Sequence, residues 1–149
     1  MNPFIIISLL FLSFGFSQEK VNVNNLVQYG EKFFKENDDE PFTGLVFDID
    51  KTTGNKILNY KMVNGVRNGF YKEFYPNGNK KSEGDYKKDL MNGKWTLWYE
   101  NGQKSGEGVY NDGDGSDKGN TGIPRNGRDG LWTFWYENGQ KREEGNYKD

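Results

Sequence analysis

The sequence predicts an all-β protein, a single-layer antiparallel meander of β-hairpin repeats. Its ten-residue stretch WTLWYENGQK at 95–104 returns as WTFWYENGQK at 132–141. Apolar residues in each copy alternate with period two, which is typical of one face of a strand. Gly supplies 20 of the 149 residues, nearly double the usual share of about 7%, so a deep globular core is not expected. Aromatic residues make up 16% of the chain, which disfavours disorder.

The first segment in chain order, residues 1–17, is predicted to be a signal peptide. Its apolar run from Phe4 to Leu12 carries no charge and is shorter than the roughly 20 residues of a membrane-spanning helix. Gly15 and Ser17 place small residues where signal peptidase accepts them. We expect cleavage near Ser17 and export to the periplasm or the cell exterior. Because no Lys or Arg precedes the apolar run, an uncleaved N-terminal anchor is the alternative.

The rest of the chain divides into a lead-in segment, residues 18–43, and a repeat domain, residues 44–149. Gly78 and Gly102 are 24 residues apart, whereas Gly102 and Gly139 are 37 apart. The difference indicates a 13-residue insertion between the last two Asn-Gly copies. The predicted units are 44–68, 69–92, 93–129 with the insertion within 111–129, and 130–149.

The three later units are each predicted to be a hairpin whose two strands are joined at Asn-Gly, and 44–68 is predicted to be an earlier, degenerate copy with Gly54 at the corresponding place. The first complete copy reads Tyr-Pro-Asn-Gly. Proline suits the second position of a type I turn, and glycine suits the left-handed position that follows. A three-residue loop of this kind pairs Tyr75 with Asn79. Counting outward, it places Phe74 opposite Lys80, Trp98 opposite Lys104 and Trp135 opposite Lys141.

The same count predicts the pairs further from the loop. We expect each unit to bury one aromatic face against its neighbours, as repeat proteins do. That face is expected to carry Tyr71, Trp95 and Trp132. The count places Gly84, Gly108 and Gly145 opposite Phe70, Lys94 and Leu131, and Glu83, Glu107 and Glu144 opposite Tyr71, Trp95 and Trp132.

The repeated pattern is Gly-x-Trp-x-x-Trp-Tyr-Glu-Asn-Gly-Gln-Lys followed by Glu-Gly-x-Tyr. It resembles the MORN-variant repeat over about the last two thirds of the chain, most strongly at 69–110 and 130–147. Pro-Phe-Thr-Gly at 41–44 is similar to the start of the first repeat in such proteins. The resemblance implies a single-layer antiparallel sheet of hairpins without catalytic residues. It also implies an antitoxin-like role, as in bacterial proteins of the YwqK family, or membrane association.

Composition excludes several kinds of chemistry. The chain has no Cys and no His, so thiolate zinc sites, Cys nucleophiles and His-based triads are absent. Its 20 basic and 22 acidic residues are mixed along the chain, which leaves no basic stripe for nucleic acid. A catalytic carboxyl pair needs two different environments, whereas Glu83, Glu107 and Glu144 occupy one repeated position. We therefore predict a protein that is not an enzyme and needs no cofactor.

The insertion contains a stretch, Asp112 to Asp117, whose alternating oxygen side chains are similar to a calcium loop. The EF-hand pattern requires Gly at its sixth position and Glu at its twelfth. Counting from Asp112, this chain has Asp117 and Ile123 there. A flexible polar loop is the favoured interpretation, and no metal site is assigned.

Candidate binding residues form a predicted row of aromatic and lysine side chains near the hairpin tips. They would present a surface to a protein, a glycan or anionic lipid headgroups. The alternative is that the pairs only stabilise their hairpins, as cross-strand pairs ordinarily do. The row consists of Trp98, Lys104, Trp135 and Lys141, joined by Phe74 and Lys80.

The function predicted from the sequence is that of an exported, non-enzymatic surface that binds or scaffolds an unidentified protein. The alternative is an antitoxin or immunity-type protein that neutralises a specific toxin. Membrane binding is less favoured because the net charge is −2. The sequence leaves the oligomeric state open. The edge beyond Tyr147 could pair with another chain, but Lys141, Arg142 and Lys148 are the kind of charge that protects a sheet edge from pairing.

Overall fold

The computed structural model describes residues 18–148, so the predicted signal peptide lies outside the described residues. Within that range the chain forms eleven β-strands and two short 3-10 segments, Val23–Asn25 and Gly119–Thr121. No helix among these residues is apolar and long enough to cross a membrane. The strands are β1 (Lys20–Asn22), β2 (Leu26–Tyr29), β3 (Lys32–Lys35), β4 (Gly44–Ile49), β5 (Lys56–Val63), β6 (Val66–Phe74), β7 (Lys80–Lys87), β8 (Leu90–Trp98), β9 (Lys104–Gly113), β10 (Arg128–Trp135) and β11 (Lys141–Tyr147).

Nine of these strands form one open sheet in the order β1-β4-β5-β6-β7-β8-β9-β10-β11. From β4 onward each strand pairs antiparallel with the next one along the chain. Strands β2 and β3 form a separate hairpin. The predicted all-β meander is confirmed, with one addition that the sequence did not indicate: β1 pairs parallel with β4 at the edge of the sheet.

The hairpin loops have the predicted geometry. The backbone N–H of Tyr75 donates to the carbonyl of Asn79 at 2.8 Å, and that of Gly78 donates to the carbonyl of Tyr75 at 2.9 Å. Gly78 has φ = 90°, a left-handed conformation that glycine adopts without strain. The other two copies form the same bonds. The register confirms the predicted pairs of Phe74 with Lys80, Trp98 with Lys104 and Trp135 with Lys141.

The pairs predicted further from the loops were wrong by one residue. A β-bulge follows each loop, because the register skips Lys81, Ser105 and Arg142. The extra residue shifts the alternation and takes the glutamates off the packed face, where a charge would be costly to bury. Gly84, Gly108 and Gly145 therefore pair with Tyr71, Trp95 and Trp132, and Glu83, Glu107 and Glu144 pair with Lys72, Thr96 and Thr133.

The core is a row of aromatic rings on one side of the sheet, which we call the ladder face. Trp95 and Trp132 are 2% and 0% exposed. Successive ring centroids lie 4.8 to 6.3 Å apart, mostly in edge-to-face or tilted contact. Such pairs add stability beyond the burial of their area. The row consists of Tyr60, Tyr71, Tyr86, Trp95, Tyr110, Trp132, Phe134 and Tyr147.

Each of the two buried indoles lies over a glycine of the preceding hairpin. A Cβ atom at Gly84 would lie 2.3 Å from the ring of Trp95, and one at Gly108 would lie 2.2 Å from the ring of Trp132. No side chain fits at that distance. The glycines are therefore required because they let one hairpin receive the tryptophan of the next.

Two segments that lie outside the hairpins cover the ladder face. At one end Val21 and Phe42 of the lead-in segment pack with Val46, Tyr60 and Met62. At the other end the insertion folds back, so that Ile123 joins the cluster around Trp95 and Trp132. The apolar end of the insertion is thus part of the core, although its polar composition had indicated a flexible loop.

Arg128 fastens the insertion to the sheet. Its side chain is almost fully buried, with the residue 6% exposed, and its guanidinium donates to the carbonyls of Pro124 at 2.8 Å and Ile123 at 3.1 Å. The same group lies 5.0 Å from the ring centroid of Trp132. The hydroxyl of Tyr110 also donates to the Pro124 carbonyl, at 2.6 Å. These bonds satisfy the buried polar groups where the insertion crosses the aromatic rings.

Candidate functional site

The side of the sheet opposite the ladder face, which we call the open face, carries all six predicted binding residues. The strand alternation and the register place them there together. Phe74, Trp98 and Trp135 are half-buried, and Lys80, Lys104 and Lys141 are exposed. Whether these residues bind a partner stays a prediction, but the fold does bring them into one row.

Further apolar side chains extend this row across the sheet. Phe70 is half-buried beside Trp98 in a shallow depression, and Val109 and Leu131 are 41% and 55% exposed. The lead-in segment and the insertion pack on the ladder face and leave these groups in contact with solvent. A contiguous exposed patch with apolar groups and a polar rim is typical of an interaction surface.

The hairpins β6–β7, β8–β9 and β10–β11 each carry an ion-paired cluster on the open face. The ammonium of Lys104 donates to Glu107 at 2.8 Å, and Glu107 also accepts from Lys94 at 3.3 Å and from the hydroxyl of Thr96 at 3.1 Å. Equivalent contacts join Lys80 to Glu83 and Lys141 to Glu144.

The clusters keep their carboxylates ionised. Hydrogen bonds from Lys80, Lys104 and Lys141 lower the pKa of Glu83, Glu107 and Glu144 respectively below the ordinary value of 4.5. A general acid needs a raised pKa. Three carboxylates with lowered pKa values in equivalent surroundings therefore fit a charged surface, and they do not fit a catalytic pair.

The lysines reach across to the next hairpin. Lys80 Nζ lies 5.4 Å from the ring centroid of Trp98, and Lys104 Nζ lies 5.7 Å from that of Trp135. These distances suit a cation–π contact. The sequence predicted a lysine and an aromatic ring beside each other within one hairpin, whereas the cation–π contacts of Lys80 and Lys104 join neighbouring hairpins.

A groove lies on the ladder face between the lead-in segment and the insertion, and it was not predicted from the sequence. Two adjoining hollows of about 840 and 470 Å³ share Arg67 and Tyr71 at their border. Phe33 lines the first hollow, and Ile123 and Pro124 line the second. The only signal in the sequence was the presence of these apolar residues within otherwise polar, non-repetitive segments.

The groove has a fixed cation and neutral hydroxyl groups. The guanidinium of Arg67 lies 4.0 Å from the ring centroid of Tyr86 and donates to Asp89 at 2.8 Å. Burial raises the pKa of Tyr60 to about 12 and raises the pKa of Tyr71 and Tyr86 as well. These phenols therefore stay protonated at neutral pH, and only the ionised form could serve as a base.

No group of three or more Asp, Glu, Cys or His side chains in residues 18–148 is placed to hold a metal ion. In the calcium-like stretch, Asp112 accepts from the side chain of Asn92 at 3.0 Å. Asp114 accepts from the backbone of Ser116 at 2.8 Å. Both carboxylates thus make hydrogen bonds inside the protein.

Three segments of the chain match the family model of the MORN repeat variant, residues 67–88, 91–112 and 128–149. They coincide with the hairpins β6–β7, β8–β9 and β10–β11. The hairpin β4–β5, predicted as a degenerate copy, lies outside the matched segments. No curated protein and no solved structure matches the chain significantly. MORN repeats are binding modules, associated with proteins or membranes.

Proposed function

We propose that this chain, in which three hairpins match the MORN repeat variant, is an exported non-enzymatic protein whose open face binds a partner protein. The difference between the two sheet faces carries the proposal. The chain covers two parts of its own ladder face, one with the lead-in segment and one with the insertion, and leaves the groove between them. It leaves half-buried rings such as Trp98 and Trp135 on the other face. Exposed aromatic residues are enriched where proteins bind one another.

The charges on the open face favour a protein over an anionic membrane. Attraction to anionic lipid depends on a surplus of Lys and Arg near the surface. Here Lys80, Lys104 and Lys141 are each paired with a glutamate, and the whole chain carries a net charge of −2. Aromatic rings beside balanced charges suit a partner with an apolar centre and a polar rim.

The test is capture of a partner from the envelope and extracellular fractions of the native cells. A tagged chain is compared with the double variant Trp98→Ala, Trp135→Ala and with Tyr29→Ala, an exposed aromatic position on the lead-in hairpin. We expect one reproducible partner with the native chain and with Tyr29→Ala, and its loss with the double variant at an unchanged circular dichroism spectrum. Unfolding of the double variant would instead mean that the rings serve the hairpins alone.

A second pair of substitutions separates binding from folding. Lys80→Gln with Lys104→Gln removes two charges and leaves every ring in place, so the sheet should keep its thermal stability within a few degrees. We expect weaker capture of the partner by this variant. Unchanged capture by it and by the tryptophan variant together would rule out the open face as the binding surface.

Export is tested separately by mass spectrometry of the chain recovered from its native source. The proposal expects a mature N-terminus at Gln18. The antitoxin alternative expects an uncleaved cytoplasmic chain bound to a toxin, and no feature of residues 18–148 specifically favours it.

A further inference from the structure

We propose that the groove on the ladder face is a binding site for a neutral oligosaccharide. Its two adjoining hollows of about 840 and 470 Å³ each have the size of a small-molecule site, about 300–1,000 Å³. Strands β5 to β9 form the floor, and the lead-in hairpin and the insertion contribute to opposite ends. All of these elements lie inside the chain, so the groove is formed by internal contacts of the fold.

The first feature of the groove is a set of hydroxyl groups without a partner in the protein. Tyr60 is 6% exposed and lines the first hollow, and Ser105 is 7% exposed and lines the second. Neither hydroxyl makes a hydrogen bond within residues 18–148, and the same is true of Tyr71 and Tyr86. In these residues no polar side-chain atom that is sealed from solvent lacks a partner. The four hydroxyls are therefore open to the groove that they line.

These hydroxyls indicate what kind of ligand fits. Buried polar groups in proteins are normally hydrogen-bonded, so side chains as buried as Tyr60 and Ser105 are suited to a partner that comes from outside. A hydroxyl group both donates and accepts, and burial keeps the phenols protonated, since it raises the pKa of Tyr60 to about 12. The matching ligand carries several groups that also both donate and accept, as a sugar does.

The second feature is the guanidinium of Arg67 at the border of the two hollows. Its Nε donates to the carboxylate of Asp89 at 2.8 Å, and one Nη donates to the Asp89 carbonyl at 3.4 Å. A guanidinium has five N–H donors, and the others of Arg67 have no acceptor within residues 18–148. Asp89 and the ring of Tyr86, whose centroid is 4.0 Å away, hold the group in place. It can thus donate to two neighbouring ligand oxygens.

The charges of the groove favour an uncharged ligand. Arg67 is paired with Asp89 at 2.8 Å, and Lys81 is paired with Glu73 at 2.7 Å. Basic and acidic side chains line the two hollows in nearly equal numbers. An anionic ligand would therefore find no surplus of cations.

The aromatic rings of the groove supply the apolar part of the site. A sugar ring has hydroxyl groups around its edge and C–H groups on its faces. Phe33 lines the first hollow, Trp95 lines the second, and Tyr71 lines both. Aromatic walls with a few fixed polar groups are the usual composition of a ligand site, and here they match both parts of a sugar.

A peptide fits the groove less well. Sheets bind extended peptides through main-chain hydrogen bonds at a free strand edge. Strands β5 to β9 each lie between two other strands, so their backbones are already paired. A helical peptide would need a row of apolar anchor sites, whereas hydroxyl groups and ion pairs are distributed along this groove.

The test titrates maltohexaose, cellohexaose, xylohexaose and chitohexaose into the purified full chain by isothermal titration calorimetry. We expect saturable heat from at least one of them, with one oligosaccharide per chain. Tyr60→Phe with Tyr71→Phe removes two hydroxyls and keeps both rings, so it should weaken that binding at least tenfold. The melting temperature should not fall, because neither hydroxyl bonds to the protein. Tyr29→Phe is the matched control, since Tyr29 is exposed and lines neither hollow, and it should bind normally.

A second variant and a charged ligand complete the experiment. Ser105→Ala, in the other hollow, should also weaken binding, as expected of a ligand that spans both hollows. No saturable heat from any of the four sugars, or heat that the tyrosine variant leaves unchanged, would overturn the proposal. Equal or tighter binding of hexagalacturonate would overturn the neutral class of ligand. Capture of a protein that the tyrosine variant abolishes would assign the groove to a peptide instead.

The result is independent of the proposed function. Lys80→Gln with Lys104→Gln changes the open face, and neither lysine lines the groove. This variant should bind the oligosaccharide normally even where it fails to capture the partner protein. Loss of sugar binding in it would place the sugar on the open face and overturn the assignment to the groove.

Discussion

At the scale of single residues, the fold depends on glycines that act as contact surfaces. Gly84 and Gly108 have backbone conformations open to other residues, since neither has a positive φ. They are required because an indole occupies the space of a side chain. This differs from the loop glycines such as Gly78, whose φ of 90° excludes other residues. The chain therefore needs glycine for two separate reasons: to leave space for an indole ring, and to adopt a positive φ in the loops.

Gly108→Ala tests whether the glycine is needed to leave space for the indole of Trp132. We expect it to reduce the free energy of unfolding by about 3 kcal/mol, because the methyl group must displace the buried ring of Trp132 and overpacked cores lose stability on this scale. Gly145→Ala is the matched control, where the space is open, and should be neutral or slightly stabilising. Urea unfolding of both variants measures the difference. Equal effects at the two positions would contradict the claim that Gly108 is required because the Trp132 indole lies over it.

The three repeated glutamates predict how stability depends on pH. Their lysine partners lower the folded-state pKa values of Glu83, Glu107 and Glu144 below 4.5. A carboxyl group whose pKa is lower in the folded state stabilises the fold at pH values above its unfolded-state pKa. This contribution is lost as the pH falls through its folded-state pKa. We expect the melting temperature to be constant from pH 7 to about 5 and to drop below about 4.5. Glu107→Gln should show a smaller drop, and an identical drop would assign the acid sensitivity to other groups.

At the scale of elements, the sequence predicted the repeated hairpins more fully than it predicted the bulges, the lead-in segment and the insertion. The first of the repeated loops and the pair Phe74 with Lys80 follow from local turn chemistry, in which Pro76 and Gly78 specify the conformation. The bulge at Lys81 was missed because no residue type marks it: the skipped positions hold Lys, Ser and Arg. What selects the bulge is tertiary, since it brings Gly84 under the indole of the next hairpin.

The binding row and the groove show the same contrast. Alternation along the strands brings Phe74, Trp98 and Trp135 to one face, as the sequence predicted. The groove around Arg67 is formed by the lead-in hairpin and the insertion, which pack through long-range contacts without a repeat signature. Their positions depend on a few apolar side chains, such as Ile123, whose packing partners come together only when the sheet has folded.

The insertion supplies the prediction at this scale. Arg128→Met removes the guanidinium bonds to the carbonyls of Pro124 and Ile123. The Pro124 carbonyl keeps its bond from Tyr110, but the Ile123 carbonyl loses its donor, and an unsatisfied buried acceptor costs about 1–3 kcal/mol. We expect the insertion to detach from the ladder face and to be cut faster in limited proteolysis. Arg125→Met is the control, because Arg125 is exposed. Equal cleavage of both variants would mean that the packing of Ile123 and the bond from Tyr110 to Pro124 hold the insertion without Arg128.

At the scale of the whole molecule, the protein is a linear stack in which each strand contacts its neighbours in the sheet. Packing passes from ring to ring along the ladder face, from Tyr60 to Tyr147. In such a stack, stability is a sum of local terms and neighbour contacts, so it decreases toward an uncovered end. Among residues 18–148, one end of the sheet is covered by β1 and the lead-in hairpin, whereas β11 has a single neighbour.

Amide hydrogen exchange should reveal this gradient. Strands β7, β9 and β11 occupy equivalent repeat positions, but in the part of the chain that the structure describes β7 and β9 lie between two strands and β11 does not. We expect amides of β11, such as Gly145 and Asn146, to exchange at least tenfold faster than the equivalent amides of β7, Gly84 and Asp85, because β11 opens without disturbing the rest of the sheet. Exchange measured by mass spectrometry on peptides from both strands makes the comparison within one sample. Equal protection in β7 and β11 would show that the sheet opens only as a whole, which would contradict a stack held by neighbour contacts.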